Sequence, residues 1–209
     1  MKRYAFIDVQ NTASTAQKML GFIIDWVKLS DYLKNNRSCS EVYLYSGIDT
    51  GDLETAKEFD VLSKTSCCVL KTKSIFAYKN RDKRIILKCA KCNNEVIQTI
   101  DMGYTKKSNC DVELSVDIIE RASPDTEILL FTGDGDFEYL IRRVLEKGTK
   151  KVYIFSYAER YVKFGITMSR FSTKLRDLIS EKSDSVFYVS LKDIREKIRK
   201  DMTITEDKQ

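Results

Sequence analysis

Short apolar runs alternate along the chain with segments in which apolar residues recur at helical spacing. The apolar runs predict buried strands, at residues 4–9, 41–46, 67–70, 127–131, 152–155 and 186–189. The helical spacing predicts helices at residues 26–33, 53–62, 110–122, 136–147, 168–179 and 191–200, with Asp52 as an N-cap and with Val112, Val116 and Ile119 on one helix face. Strands that alternate with helices predict an α/β fold with a mainly parallel central sheet.

A different pattern interrupts this alternation in the middle of the chain. Residues 84–88 and 95–100 are rich in β-forming side chains and flank the sequence Cys89-Ala-Lys-Cys92. Two such runs around a short polar turn predict a β-hairpin. We therefore expect one domain over residues 1–200 with a cysteine-bearing hairpin inserted near 72–104, and a frayed tail at 201–209.

Charge and composition narrow the possible chemistry. The 209 residues include 36 basic and 31 acidic side chains, a net charge of +5 that permits a polyanionic partner without requiring one. The basic clusters at 79–83 and 147–151 are more typical of solvated loops. The chain has no histidine. Its absence excludes Ser-His-Asp and Cys-His catalysis and every histidine-ligated metal site, so acid–base chemistry must come from other side chains or from metal-bound water.

The six cysteines raise the question of cellular compartment. The N-terminal apolar run is broken by Asp8, and no run approaches the roughly 18 apolar residues of a membrane helix. These features predict a cytoplasmic protein with reduced thiols and no membrane partner. The Cys89-x-x-Cys92 pair is half of a zinc knuckle. Free thiols, a structural zinc (including one shared between subunits) and a redox pair all remain open.

Aspartates follow two of the predicted strands and open one helix. Asp8 ends the first strand, Asp134 and Asp136 follow the strand at 127–131, and Asp111 begins the helix at 110–122. The carboxyl ends of parallel strands share one sheet edge, where α/β proteins bind ligands. Oxygen-only clusters suit Mg²⁺ or Mn²⁺. Asp111, Asp134 and Asp136 could instead cap helices. For Asp8 no helix is predicted, so its charge needs a partner or a metal.

Three motifs in this order resemble a known family. They are Phe6-Ile7-Asp8-x-x-Asn11, the segment Asn109-Cys110-Asp111 with Asp117 six residues beyond, and Thr132-Gly133-Asp134-Gly135-Asp136-Phe137. Together they resemble the NYN domain, which is PIN-like. The resemblance implies a three-layer, Rossmann-like α/β fold and metal-dependent nuclease activity, mainly on RNA, through metal-activated water. It implies that Asp8, Asp111, Asp134 and Asp136 hold one or two Mg²⁺ or Mn²⁺ ions.

Further residues are candidates for substrate binding or for support of the site. By the resemblance, Asn11 stabilises the Asp8 turn or touches the ligand, and Thr132 and Asp117 belong to the motifs. Asp117 lies about 600° along the helix from Asp111 and does not share its face. Lys106 and Lys107 could bind phosphates or could form a solvated loop. The binding partner of the protein would then be a nucleic acid, most simply RNA. Whether the chain forms a homo-oligomer stays an open question.

Two other functions use the same sequence features. One is a non-catalytic RNA-binding or regulatory module, against which the negative carboxylate pocket argues. The other is a phosphatase that applies the same metal chemistry to a small substrate.

Near the C-terminus, aromatic and basic side chains alternate at Tyr157, Arg160, Tyr161, Lys163 and Phe164. This segment is interpreted as a partly buried amphipathic stretch, with stacking on single-stranded RNA as the alternative.

Overall fold

A computed structural model describes residues 1–48, 53–64 and 67–201, with side chains at all of these positions except 53, 54, 106, 107 and 163. The strands are β1 (Lys2–Asp8), β2 (Glu41–Ile48), β3 (Cys68–Ser74), β4 (Phe76–Lys79), β5 (Lys83–Lys88), β6 (Glu95–Ile100), β7 (Tyr104–Lys107), β8 (Thr126–Phe131), β9 (Lys151–Ser156), β10 (Tyr161–Lys163), β11 (Ile166–Met168) and β12 (Val186–Ser190). The helices are α1 (Val9–Leu20), α2 (Trp26–Arg37), α3 (Leu53–Ser63), α4 (Asp111–Arg121), α5 (Glu138–Glu146), α6 (Thr173–Glu181) and α7 (Leu191–Ile198), and a 3-10 turn covers Gly135–Phe137.

Six parallel strands form the central sheet, in the order β12-β9-β8-β1-β2-β3. From β1 the chain proceeds outward to β2 and β3, whereas from β8 it proceeds the other way, to β9 and β12. The sheet order therefore reverses between β1 and β8. A crevice opens outside the carboxyl ends of the strands at such a reversal, and ligands of open α/β sheets bind there.

Helices cover both faces of the sheet, so the molecule has three layers. On one face, α1, α2, α3 and α7 pack against inward-facing residues that include Ala5, Ile7 and Phe131. On the other face, α4, α5 and α6 pack against residues that include Tyr4 and Phe6. Both faces of the central strands are buried, and this explains why β8 reads as one continuous apolar run. The predicted α/β fold with a parallel sheet is confirmed.

The inserted arm, β4 to β7, leaves the main sheet between β3 and α4. Within it β4 pairs with β7 and β5 pairs with β6, each antiparallel. The predicted hairpin of residues 84–88 and 95–100 is therefore confirmed, and it sits at the outer end of the arm. Among the described helices, none combines the length and apolarity that a membrane span requires.

Several details of the prediction were wrong. Helix α1 was not predicted, because its buried positions include Thr12, Thr15 and Ala16, which carry little apolar signal. The helix predicted over 168–179 begins only at Thr173, because Met168 ends the antiparallel pair β10–β11. Val112, Val116 and Ile119 do share one face of α4, but that face is exposed, and Leu114 and Ile118 make the core contacts.

The segment at 157–164 matches its interpretation only in part. Tyr157 and Tyr161 are half-buried, whereas Arg160 and Phe164 are exposed, and Phe164 has a positive φ of 53° in the β10–β11 hairpin. The predicted N-cap Asp52 and the tail beyond residue 201 lie outside the described residues.

Candidate active site

The carboxylate of Asp8 lies where β1 passes directly into α1. The backbone N–H of Asn11 donates to Asp8 Oδ1 (3.1 Å), so Asp8 is the N-cap of α1. The prediction that Asp8 has no helix to cap was therefore wrong. Tyr4 and Phe6 face the layer of α4, and alternation along the strand puts Asp8 on the same side.

The loop after β8 is held in shape by its own polar groups. The backbone N–H of Asp134 donates to Thr132 Oγ1 (3.2 Å), and the N–H of Asp136 donates to Asp134 Oδ1 (3.0 Å). Asn11 Oδ1 accepts from the N–H of Gly133 (3.0 Å), which links the first turn of α1 to this loop across 122 residues of sequence. Asn11 thus fixes the position of Asp134 relative to Asp8.

Two glycines let this loop pack against the segment before α6. A Cβ at Gly133 would lie 2.7 Å from the carbonyl oxygen of Arg170, which is backbone and cannot turn aside. A Cβ at Gly135 would collide with the side chain of Ser172, and the N–H of Ser172 donates to Gly133 O (3.0 Å). The close approach of Ser172 therefore favours glycine at position 135.

Asp111 reaches the same edge from the start of α4. Its backbone N–H is held by Asn109 Oδ1 (2.7 Å), and the preceding Cys110 is buried with its Sγ 3.8 Å from Ser46 O at the end of β2. The Asn109-Cys110 pair thus anchors the helix start on the neighbouring strand. Asp8 and Asp111 lie on the same side of the sheet as a result.

Two adjoining cavities contain the predicted aspartates. The first, about 460 Å³, is lined by Asp8, Asp111 and Asp134 together with Asn11. The second, about 370 Å³, is lined by Asp134, Asp136 and Asn11, so Asp136 lies beside the other three rather than among them. The four carboxylates come from three separate chain segments.

The surroundings of the first cavity disfavour the charged forms of its carboxylates. Burial raises the pKa of Asp8 to about 6, and the charges of Asp111 and Asp134 contribute in the same direction against the hydrogen bond from Asn11. Burial likewise raises the pKa of Asp111, with Asp134 and Asp136 adding to it. Clustered carboxylates that destabilise one another in this way favour a bound cation.

Arg170 is a site residue that the sequence reasoning missed. It lines both cavities, and its Nη2 donates to Ser14 Oγ (2.9 Å) on α1. Lys174, in the first turn of α6, lines the second cavity. Neither residue belongs to a motif, and only the return of the chain through β10–β11 brings them to the aspartates. They supply the positive charge that a phosphate group needs near the carboxylates.

Asp117 lies behind the cavity rather than in it. Its Oδ2 accepts from the Tyr45 hydroxyl (2.5 Å) and lies 2.8 Å from Lys71 Nζ. Tyr45 lines the first cavity, and burial together with the Asp117 hydrogen bond raises the pKa of this phenol far above its usual range. Asp117 therefore positions Tyr45, which stays protonated.

The remaining predicted residues lie away from the aspartates or outside what can be described. The backbone of Lys106 and Lys107 belongs to β7, but their side chains are outside the described part of the chain. Cys89 and Cys92 are exposed at the end of the arm, and neither lines the two cavities. The candidate zinc ligands and the aspartates are thus separate features.

The donor set fits a hard divalent cation in its chemistry. All of its ligand atoms would be carboxylate oxygens, which Mg²⁺ and Mn²⁺ prefer. Over residues 1–48, 53–64 and 67–201, no three acidic or thiol side chains already converge closely enough to hold an ion. Binding would therefore draw the carboxylates together, which their mutual repulsion opposes until a cation is present.

The fold and the acidic edge define the molecule as an α/β protein of the PIN-like class. The chain belongs to the NYN domain family, whose model matches residues 3–165. This family consists generally of nucleases, which act on nucleic acids and generally use divalent metal ions. The resemblance stated from the motifs is thereby confirmed.

A solved structure supports the fold independently. A protein of unknown function from Vibrio parahaemolyticus RIMD 2210633 superimposes with a TM-score of 0.58 at 19% sequence identity, over 91% of this chain and 92% of that one. At this identity the similarity speaks for the fold alone. A search of curated protein sequences gives no match.

The raised pKa of Asp8 makes a prediction about stability. Asp8→Asn is expected to raise the free energy of unfolding of the metal-free protein by about 1–3 kcal/mol at about pH 7.5, since each pKa unit is worth about 1.4 kcal/mol. Asparagine can still accept from the Asn11 N–H, but it carries no charge to bury. The pKa rises from its usual 3.8 to about 6, so between roughly pH 4 and pH 6 the native state keeps a proton that the unfolded state loses. Wild-type stability therefore falls as the pH rises through this window.

Urea unfolding in EDTA at both ends of this window measures the effect. Asp125→Asn is the matched control, because Asp125 is exposed at the opposite end of β8. A variant Asp8→Asn that is no more stable than this control at neutral pH would contradict the electrostatic account. Added Mg²⁺ is expected to stabilise the wild type more than Asp8→Asn, by binding linkage.

Proposed function

We propose that this protein is a divalent-metal-dependent ribonuclease that hydrolyses phosphodiester bonds at the sheet edge between β1 and β8. The observation that carries the proposal is the meeting of Asp8, Asp111 and Asp134, from three chain segments, in one cavity where burial and mutual repulsion raise the pKa of Asp8 and Asp111. Such a site suits Mg²⁺ or Mn²⁺.

Different residues of the chain would bind the metal ion and the substrate. Asp8, Asp111 and Asp134 would hold the ion, with Asp136 at the adjoining edge, and Asn11 keeps two of the ligand loops in register. A bound ion supplies a water of lowered pKa and stabilises negative charge on the phosphoryl group. Arg170 and Lys174 lie beside Asp134 in the second cavity and are suited to bind the phosphate of the substrate.

The decisive experiment compares substrates and metals. The full chain is incubated with labelled single-stranded RNA, double-stranded RNA, single-stranded DNA and p-nitrophenyl phosphate, each with Mg²⁺, Mn²⁺ or EDTA. Cleavage of RNA that requires the metal is expected. Hydrolysis of only the small phosphoester would establish the phosphatase alternative, and RNA binding without cleavage under every condition would establish the binding module.

A third cavity supports single-stranded RNA as the substrate. It measures about 560 Å³ and is lined by Lys73, Phe76 and Tyr78, and it meets the first cavity at Ser108 and Asn109. Phe76 and Tyr78 are two residues apart on β4, so they face the same side of the arm, and they are 62% and 58% exposed. Exposed aromatic rings beside a phosphate site are typical platforms for unpaired bases.

Removal of both rings is expected to weaken substrate binding and to leave chemistry intact. Phe76→Ala with Tyr78→Ala should raise KM for single-stranded RNA by about 10- to 100-fold, since stacking contributes about 1–3 kcal/mol per base. The value of kcat should stay within about twofold, because neither ring lines the aspartate cavities.

Steady-state cleavage of a short labelled RNA gives both constants. Tyr104→Ala is the matched control: Tyr104 is equally exposed on the same arm, but it pairs with Lys79 and so faces the other side of β4 and β7. Equal KM values for the double variant, the control and the wild type would show that the third cavity does not bind the substrate.

A further inference from the structure

The hairpin β5–β6 ends in a tight turn that carries two cysteines. The N–H of Cys89 donates to Asn94 O (2.9 Å), and the N–H of Asn93 donates back to Cys89 O (2.9 Å). Asn93 closes the turn with a φ of 57°, a left-handed conformation that asparagine tolerates better than most residues. The backbone thus holds Cys89 and Cys92 on one compact loop.

The residues of the turn suit a pair of metal-binding thiols. Thiolates are the form of cysteine that binds metals. Both cysteines are free and exposed, and Lys88 and Lys91 stand next to them in the sequence with positive charge. A Cys-x-x-Cys turn between two β-strands is the usual half of a four-thiolate zinc site.

One copy of the chain cannot complete such a site. All six cysteines fall within the described residues, and the sequence has no histidine. Cys39, Cys67 and Cys110 are buried and Cys68 is half-buried, whereas both thiols of the hairpin are exposed. No three ligand side chains of the described chain converge anywhere. A tetrahedral zinc site requires four ligands, so two must come from elsewhere.

Within residues 1–48, 53–64 and 67–201, the hairpin has no extensive packing partner. Leu87 lies opposite Val96 on one face and Ile86 lies opposite Ile97 on the other, all between 49% and 67% exposed. Strands β5 and β6 contact each other and make no extensive contact with another described element. A two-stranded hairpin alone is marginally stable in water, and apolar pairs on both faces favour association.

We propose that Cys89 and Cys92 form half of a four-cysteine zinc site that the same two residues of a second copy complete, so that the hairpin is a zinc-dependent dimerisation arm. The apolar pair Leu87 and Val96, next to the turn, would meet its counterpart beside the metal. Lys91 at the turn would offset part of the negative charge of four thiolates around one zinc, while Lys88 Nζ lies 3.6 Å from Glu95 Oε1. This proposal does not depend on the aspartate site or on nuclease activity.

The test measures zinc content and mass together. The full chain, without a histidine tag and under reducing conditions, is analysed by elemental mass spectrometry and by size exclusion with light scattering. A dimer that holds one zinc per two chains is expected, given two ligands per chain. Cys89→Ser, or the wild type treated with phenanthroline, should be a zinc-free monomer with an unchanged circular dichroism spectrum.

Cys68→Ser is the matched control, because Cys68 is the least buried thiol outside the hairpin, and this variant should keep both the zinc and the dimer. In the metal-free wild type, added Co²⁺ should give the visible absorption of tetrahedral cobalt thiolate, which Cys89→Ser should lack. Three results would each overturn the proposal: a reduced wild type that stays monomeric with zinc present, one zinc held by a monomer, or a dimer that persists in Cys89→Ser.

Discussion

Replacement of Asp134 by asparagine is expected to lower metal-dependent RNA cleavage by about 10³-fold or more, because loss of one ligand charge removes several kcal/mol of transition-state stabilisation. Asp134 is the carboxylate that both cavities share. Asparagine keeps the acceptor for the Asp136 N–H, so the loop should retain its shape. The loss therefore isolates the charge of the side chain from its structural role.

Single-turnover cleavage at saturating Mg²⁺ measures this loss, and Asp125→Asn at the opposite end of β8 should cut as fast as the wild type. Asp117→Asn should have a smaller effect, because Asp117 acts through Tyr45 and touches no substrate. Retention of most activity by a folded Asp134→Asn would refute the site. Equal losses in Asp134→Asn and Asp125→Asn would indicate general damage to the protein.

Arg3→Ala is expected to lower the free energy of unfolding by about 2–3 kcal/mol, below the roughly 3–5 kcal/mol cost of removing one partner from a fully buried ion pair, because the Arg3 side chain is 34% exposed. Glu127 on β8 is only 2% exposed, and its Oε2 lies 2.6 Å from Arg3 Nε on β1. The same guanidinium donates to Arg37 O (3.0 Å) at the end of α2. Without Arg3, the Glu127 carboxylate stays buried and unpaired at the edge of the sheet farthest from the aspartates.

Urea unfolding of three variants separates this charge effect from packing. Arg3→Met with Glu127→Leu should recover most of the loss, since an apolar pair can replace a buried ion pair. Lys64→Ala, which removes an exposed pair with Asp60, should change stability by less than about 1 kcal/mol. A loss in Arg3→Ala as small as that in Lys64→Ala would show that Arg3 does not stabilise the buried Glu127 side chain.

The strands were predictable because their burial requires apolar residues at consecutive positions in the sequence. Each central strand is covered on both faces, so β1, β2, β8 and β9 appear as unbroken apolar runs. Helix α1 left no such trace, because it lies close to the sheet through small residues such as Thr12 and Ala16. On α4, the apolar face that marked the helix turned out to be the exposed one, since periodicity identifies a face but not its direction.

The candidate site divides in the same way between sequence and tertiary structure. Asp8, Asp111, Asp134 and Asp136 were proposed as ligands from their positions after strands and at a helix start, which depend on local sequence alone. The sequence did not indicate that Asp8 caps α1, that Asn11 holds the loop of Gly133, or that Arg170 lines both cavities. These contacts join residues more than 100 positions apart or depend on an element that was not predicted.

The sequence by itself determined the alternation of strands and helices, the family, and the carboxylates available to bind a metal. Each of these depends on residues that are close together in the chain. The evidence is either the interval at which apolar residues recur or the spacing of residues within a motif. Only the tertiary structure decided that the sheet order reverses between β1 and β8, that Asp136 lies beside the other three aspartates, and that Asp117 pairs with Lys71. Those outcomes depend on which distant segments pack together, and packing minimises the free energy of the whole chain rather than of any one segment.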